Sequence, residues 1–259
     1  MKAVILAAGY GTRLYPLTVN LPKPLIPVNG WPIINYLIDK INRLGCNYPV
    51  KNITVVSNSK FYSNFINWKK QYGISVNVLD DGTASADDRL GAIKDIRFAI
   101  NSKKSGWLVL GGDNLFEDGL SGFIEFALKK RPFPIVGIYD VGSLKAARRF
   151  GVVKLNRRMR IVHFCEKPSE PATSLIACCV YYFPQESLKF IDDFISKEET
   201  ADASGKYISW LANKTKVYGY ILKGTWLDIG HFDALKQAGA CFKPRQDSCL
   251  VKTKGIRSG

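Results

Sequence analysis

Lys2-Ala3-Val4-Ile5-Leu6-Ala7-Ala8-Gly9-Tyr10-Gly11-Thr12-Arg13 follows the first methionine of the chain. The run from Lys2 to Ala7 is short and almost wholly apolar, the pattern of a strand buried on both faces. Two glycines then follow in a tight loop. Outward from this stretch the same rhythm recurs. Ile34, Leu37, Ile38, Ile41 and Leu44 fall at helical spacing and stop at Gly45, a residue type that suits the position after a helix. Residues 53–56 read as a second buried strand, 61–72 as a helix, 74–79 as a strand and 88–100 as a helix. Residues 107–110 form a further strand ending in Gly111-Gly112-Asp113-Asn114, followed by a helix over 120–129 and a strand over 135–139. This alternation predicts an α/β fold: a Rossmann-like, mainly parallel sheet flanked by helices. After Asp140 the pattern changes. Segments 152–155, 161–165 and 175–183 are strand-like and close together, so hairpins are expected. Helices near 187–195 and 208–212, strands at 217–222 and 225–227, and a helix over 232–240 complete a β-rich second half. A single domain over 1–240 is expected, with halves of about 1–130 and 131–240 and a basic tail over 241–259.

The 259 residues are 46% hydrophobic, a globular composition, and a chain this long buries roughly 70–75% of its unfolded surface. No apolar stretch reaches the ~18 residues of a membrane span. The start is basic then apolar, like a signal peptide, but it runs straight into Gly-Tyr-Gly-Thr-Arg, which suits a strand and loop better than a cleavage site. Six cysteines (46, 165, 178, 179, 241 and 249) lack CxxC spacing, so a reducing cytoplasm without disulfides or a zinc site is expected. Cys178 and Cys179 would point to opposite faces of a strand. The net charge is +15, from 37 Lys and Arg against 22 Asp and Glu. Lys145, Arg148, Arg149, Lys154, Arg157, Arg158 and Arg160 lie in an acid-free stretch, and Lys243, Arg245, Lys252, Lys254 and Arg257 follow in the tail. Such charge favours polyanions or phosphorylated metabolites. Aromatics do not interleave with these cations and no nucleic-acid motif appears, so a solvated basic face is expected and nucleic acid is not. Self-association into a homo-oligomer is left open.

Gly9 and Gly11 after a buried strand let the backbone approach a ligand and turn N–H groups toward phosphate. Arg13 supplies a planar fork and Lys23, in Pro22-Lys23-Pro24, a mobile point charge, together suited to a triphosphate. Leu14 stands where a dinucleotide fingerprint has its third glycine, and no Gly-Lys-Ser/Thr marks a Walker A loop. Asp113 ends a buried strand, where a carboxylate adds little stability and could hold Mg²⁺ against phosphate oxygens. Turn or cap duty is the competing reading for Asp113 and Asp228.

The combination G-x-G-T-R-L-x-P-L-T (Gly9 to Thr18) with P-K-P-L-x-P-V (Pro22 to Val28) resembles the signature of the sugar-1-phosphate nucleotidylyltransferases, or NDP-sugar pyrophosphorylases. The resemblance covers roughly residues 1–240, and a short form without the left-handed β-helix domain that some relatives append is expected. It implies NTP and sugar 1-phosphate as substrates, with UTP or dTTP and glucose 1-phosphate the favoured pair, and Mg²⁺ as cofactor. Arg13, Lys23 and Asp113 would be catalytic. Asp113 and Asp228, in Trp226-Leu227-Asp228-Ile229-Gly230, would hold the metal. Ala7, Ala8, Gly9, Gly11, Thr12, Arg13, Asp81, Gly82 and Gly91 would bind the nucleotide. Gly151 in Phe150-Gly151-Val152-Val153, Glu166 and Lys167 in Glu166-Lys167-Pro168, and Tyr181 would bind the sugar phosphate. A surface ion pair is the plainer reading of Glu166-Lys167, and a helix-start loop that of Asp81, Gly82 and Gly91.

There are departures. Cys178-Cys179 stands where relatives usually have a glycine, which would reshape the sugar pocket, and His231 follows Gly230 where relatives often have threonine. His231 reads as a solvent-facing residue at a helix start, and His163, alternating in a strand, as structural. A cytidylyltransferase acting on phosphocholine or a phosphonate is the alternative enzyme, and a non-catalytic polyanion binder the alternative class.

Overall fold

The computed structural model describes residues 1–197 and 204–244. Of the expected basic tail, Arg245, Lys252, Lys254, Arg257 and Cys249 lie outside the described residues. In chain order the elements begin β1 (Lys2–Leu6), β2 (Pro27–Val28), β3 (Trp31–Pro32), α1 (Ile33–Asn42), β4 (Ile53–Ser57), α2 (Tyr62–Gln71) and β5 (Asn77–Asp80). They continue with α3 (Ala92–Ala99), β6 (Trp107–Gly111), β7 (Asn114–Phe116), α4 (Leu120–Lys129), β8 (Ile135–Asp140) and α5 (Leu144–Ala147). Then come β9 (Gly151–Leu155), β10 (Ile161–Glu166), β11 (Leu175–Phe183), α6 (Lys189–Ile195), α7 (Ser204–Lys214), β12 (Tyr218–Ile221), β13 (Trp226–Asp228) and α8 (Phe232–Cys241). The large sheet with flanking helices makes this the expected α/β class. The described residues form two compact units: Met1–Arg89, Leu110–Leu120 and 224–244 in the first, Leu90–Val109, 121–197 and 204–223 in the second.

In the first unit the strand order is β1-β4-β5. β1 pairs in parallel with β4, and β4 with β5. Ala3, Val4, Ile5, Val55 and Val56 are fully or almost fully buried, as runs without alternation require. Ile33, Ile34, Leu37, Ile38 and Ile41 form the buried stripe of α1. β2 and β3 form a hairpin whose turn, Asn29-Gly30, has positive φ at both residues (49° and 77°), the conformation an Asn-Gly pair adopts most readily. The Asn29 amide also donates to the carbonyls of Gly239 and Phe242, at 2.7 and 2.6 Å, capping the end of α8.

In the second unit the order is β10-β9-β11, with β8 between β11 and β12. β9–β10 and β8–β11 are antiparallel, so the β-rich half contains the expected hairpin. Phe183, Phe194, Tyr207 and Trp210 stack into an aromatic core, with Phe194 and Tyr207 centroids 5.2 Å apart.

Three expectations change. The helix expected over 88–100 begins only at Ala92, because Gly91 takes φ 88° and ψ 155°, which no helix tolerates. Ser85 and Asp88 close a separate turn before it. Residues 114–116 form a strand that the run Gly-Gly-Asp-Asn concealed. His163 is not packed: the β9–β10 register shifts between Ile161 and His163, leaving both Val162 and His163 exposed. No helix among the described residues is long and apolar enough to cross a membrane.

Candidate active site

The first unit gathers the glycine loop and the carboxylates. Past β1, Ala7 N–H donates to Val56 O and the Asn58 amide to Ala8 O, both at 2.8 Å, so the strand exit is held from β4. Gly9 is exposed, with nothing within 4 Å of where a Cβ would stand. Gly11 has φ 65° and carries the buried Thr18 hydroxyl on its carbonyl at 2.7 Å; a Cβ there would lie 3.2 Å from the Thr18 side chain. The following 3₁₀ turn, Thr12–Leu14, anchors on the fully buried Leu14 and leaves Thr12 and Arg13 exposed. The Tyr10 hydroxyl meets Thr83 Oγ1 at 3.1 Å. Thr83 in turn donates its N–H and hydroxyl to Asp81 Oδ1, at 2.8 and 2.7 Å. Asp81 therefore has turn duty, while Gly82 (φ 81°) has open space on its Cβ side.

A Cβ on Gly112 would come within 2.6 Å of the Leu6 carbonyl and 2.9 Å of Pro24 Cγ. Glycine is thus the residue that lets the end of β6 approach both β1 and the Pro-Lys-Pro turn. Asp113 follows, and Lys23 Nζ sits 2.7 Å from its Oδ2. Asn114 donates to Asp113 Oδ1 at 3.0 Å and is itself held by Trp226 Nε1, also at 3.0 Å. Desolvation alone would raise the Asp113 carboxyl; the Lys23 ammonium and the hydrogen bonds it accepts outweigh that and hold it below the usual carboxylate range. β13 pairs with β7 so that Asp228 faces Asn114, and Ile229 N–H donates to Asp113 O at 3.0 Å. A Cβ on Gly230 would lie 3.4 Å from both Arg13 Nη1 and Asp228 Oδ2. Arg13, Lys23, Asp113 and Asp228 therefore converge within one unit. His231 is half-buried rather than solvent-facing: its Nδ1 accepts Ala234 N–H at 3.2 Å and caps α8.

No group of three or more His, Cys, Asp or Glu able to hold a metal exists among the described residues. Two carboxylates, Asp113 in the turn between β6 and β7 and Asp228 at the end of β13, the first held ionised by a lysine, are instead an oxygen-donor set that fits Mg²⁺, an ion that takes one or two protein carboxylates and fills its shell with phosphate and water.

The second unit holds the other candidates. Gly91 opens α3 in its positive-φ conformation. Gly151 pairs with Glu166 across β9–β10, and the space a side chain at 151 would need is taken by Phe164 and by Glu166 Oε2. Lys167 adopts φ 47°, donates its N–H to Phe150 O at 3.0 Å and exposes 66% of its side chain, with Nζ 4.0 Å from Glu166 Oε1. Burial pushes the Glu166 carboxyl up, against partial opposition from Lys167 and Lys206. Tyr181 is buried, which raises its phenol well above the ordinary range, and its hydroxyl donates to Ser204 Oγ at 3.0 Å. In β11, Cys178 is buried and Cys179 partly exposed, within a register shift between Ala177 and Tyr181.

Sequence reasoning passed over Asn58, Thr18, Tyr10, Asn114 and Ser204, which hold the candidates in place. Tyr10, Thr18 and Asn114 lie inside the quoted motifs but were given no role there; Asn58 and Ser204 lie outside them.

The nucleotidyl transferase family profile matches residues 2–243. A bifunctional protein GlmU of Methanocaldococcus jannaschii is 32% identical over 233 residues, 89% of this chain and 51% of that protein. A glucose-1-phosphate adenylyltransferase of Clostridium novyi is 29% identical over 257 residues, 92% of this chain and 65% of that protein. The chain spans about half the length of the GlmU relatives it matches. A crystal structure named as a glucose-1-phosphate thymidylyltransferase of Bacillus anthracis, in complex with sucrose, shares the fold, with TM-score 0.76 at 23% identity over 93% of this chain and 94% of that one. With the profile matched almost end to end and its motif residues converging around Asp113, the chain belongs to the nucleotidyl transferase family.

Proposed function

We propose that this protein transfers a nucleotidyl group from an NTP to a sugar 1-phosphate, releasing pyrophosphate and an NDP-sugar. The observation that carries this reading is the convergence of Arg13, Lys23, Asp113 and Asp228 in the first unit. Glucose 1-phosphate is the acceptor we favour, with UTP or dTTP as donor. Two of the similar proteins have glucose 1-phosphate in their names, one paired with an adenylyl and one with a thymidylyl group.

An oxygen of the acceptor phosphate is already anionic, so it attacks the α-phosphorus without a strong base. One P–O bond forms as the bond to the β-phosphate breaks, and pyrophosphate leaves with the electron pair. The residues must offset repulsion between two polyanions and hold attack and departure in line. Arg13, exposed beside the glycine loop, suits the departing pyrophosphate, where charge grows. Lys23 can pass from Asp113 to a phosphate, and Lys167 suits the acceptor's phosphate. Mg²⁺ held by Asp113 and Asp228 would neutralise charge on the α-phosphate. Glu166, Gly151 and Tyr181 would serve the sugar; Ala7, Ala8, Gly9, Gly11, Thr12, Asp81, Gly82 and Gly91 the nucleotide.

A screen for pyrophosphate release, with the common NTPs against a panel of sugar 1-phosphates and phosphocholine, tests the reading. Turnover is expected with a sugar 1-phosphate. Asp113→Asn and Asp228→Asn should each lower kcat by ~10²-fold or more with the fold intact. No pyrophosphate from any pair would refute the activity, and release with phosphocholine alone would move the acceptor outside the sugars.

A further inference from the structure

The Glu166 carboxylate stands where α7 has no side chain. A Cβ built on Gly205, the second residue of α7, would overlap Glu166 Oε2, lie 2.7 Å from Glu166 Cδ and 3.3 Å from Phe164 Cε1. The same oxygen lies 2.9 Å from where a Cβ on Gly151 would stand. The end of the carboxylate therefore occupies space that two glycines on different elements leave open. The first turn of α7 is itself fixed, because Ser204 Oγ accepts the Tyr181 hydroxyl of β11 at 3.0 Å. Lys206 and Lys167 flank the carboxylate, and burial raises its proton affinity. Glycine is a poorer helix former than alanine, so α7 carries a cost in the place where a methyl group would meet Glu166.

We propose that Gly205 is a positioning residue for the acceptor: by leaving the space Glu166 occupies, it sets where that carboxylate presents itself to the sugar hydroxyls. This rests on the nucleotidyl-transfer reading above. The atom that a methyl at 205 would strike is the free end of a flexible side chain. Gly205→Ala should thus displace the carboxylate while the helix backbone stays in place. A merely structural glycine gives a different result, since alanine there would strengthen the helix and leave both substrates unaffected.

The test is steady-state pyrophosphate release by the full chain as wild type, Gly205→Ala, Glu166→Asp and the double variant, with the melting temperature of each. For Gly205→Ala, the KM of the acceptor should rise ~10-fold or more, the loss expected for one hydrogen bond to a charged group. The KM of the NTP should stay within about twofold, and the melting temperature should hold or rise. Aspartate is one methylene shorter, so its carboxylate draws back from the methyl group. The penalty of Gly205→Ala should therefore shrink in the Glu166→Asp background, a coupling between contacting residues. An unchanged acceptor KM in Gly205→Ala, or equal penalties in both backgrounds, would overturn the assignment. If wild type turns over no pair, the functional reading fails, and carbon-13 NMR titration of the Glu166 carboxyl decides the positioning claim. A fall in its pKa in Gly205→Ala supports it, and an unmoved titration overturns it.

Discussion

Gly112 and Gly205 both lack room for a methyl group, yet the obstacles differ in kind. At Gly112 they are a backbone carbonyl and a proline ring, neither of which can rotate aside. Gly112→Ala should cost about 1–3 kcal/mol, the usual price of overpacking, and should lower kcat because Asp113 is the next residue. Denaturant unfolding and pyrophosphate release on the same preparation check both effects; an unaltered melting curve would mean that β1 and the Pro-Lys-Pro turn yield. Arg13 and Lys167 make a contrasting pair. Arg13→Ala should depress kcat, and Arg13→Lys should rescue it poorly, since a point charge cannot replace the planar fork. Lys167→Ala should instead raise the acceptor KM by roughly 10–150-fold and that of the NTP far less. Equal rises would place Lys167 on the wrong substrate. Arg13, Lys23, Lys167, Asp113 and Asp228 stood out as candidates in the sequence chiefly because their motifs, in that order, resemble a known signature, whereas Gly205 carried no signal. The residues that hold them did not stand out. Asn58 and Ser204 are ordinary polar residues whose partners lie on other segments, so nothing local shows what they hold.

At the scale of elements, α3 and α6 are fastened through Asp192, which accepts from Lys103 and from Arg97 of α3. These cations hold the Asp192 carboxyl below its ordinary value of 3.8. A depressed pKa adds stability that is present above the unfolded value and is lost as pH falls through the folded one. Asp192→Asn should therefore lower the melting temperature by roughly 1–4 °C at neutral pH, and by nothing once the wild-type carboxyl is protonated. A difference that persists in acid would point to packing rather than charge. Elements with a strong periodic signal, such as β1, α1 and α4, were legible nearly to the residue. The start of α3 was not, because the decisive fact is the backbone angle at Gly91. β7 was missed because three residues carry no period, and its pairing with β13 joins segments far apart in the chain.

The whole molecule carries a net charge of +15 and, on our reading, binds two polyanions. A field of that sign should draw an NTP from a distance and fade as salt shortens its range to ~8–10 Å. Raising ionic strength from about 10 to about 200 mM should lower kcat/KM for the NTP several-fold and leave kcat almost unchanged. A flat kcat/KM would mean that the charge is spread too evenly to steer. The first unit is also discontinuous, closing with β13 and α8, whereas the second has all its residues by Lys223. On a ribosome adding roughly 5–20 residues per second, the second unit is therefore fully synthesised while the first still lacks a strand. Until Trp226 and Asp228 emerge, β7 has no partner strand and Asn114 no indole to hold it. Until Gly239 and Phe242 follow, the Asn29 amide has no helix end to cap. The metal-binding pair we propose is thus among the last features a newborn chain can assemble, and a polypeptide released early would carry Asp113 without its companion.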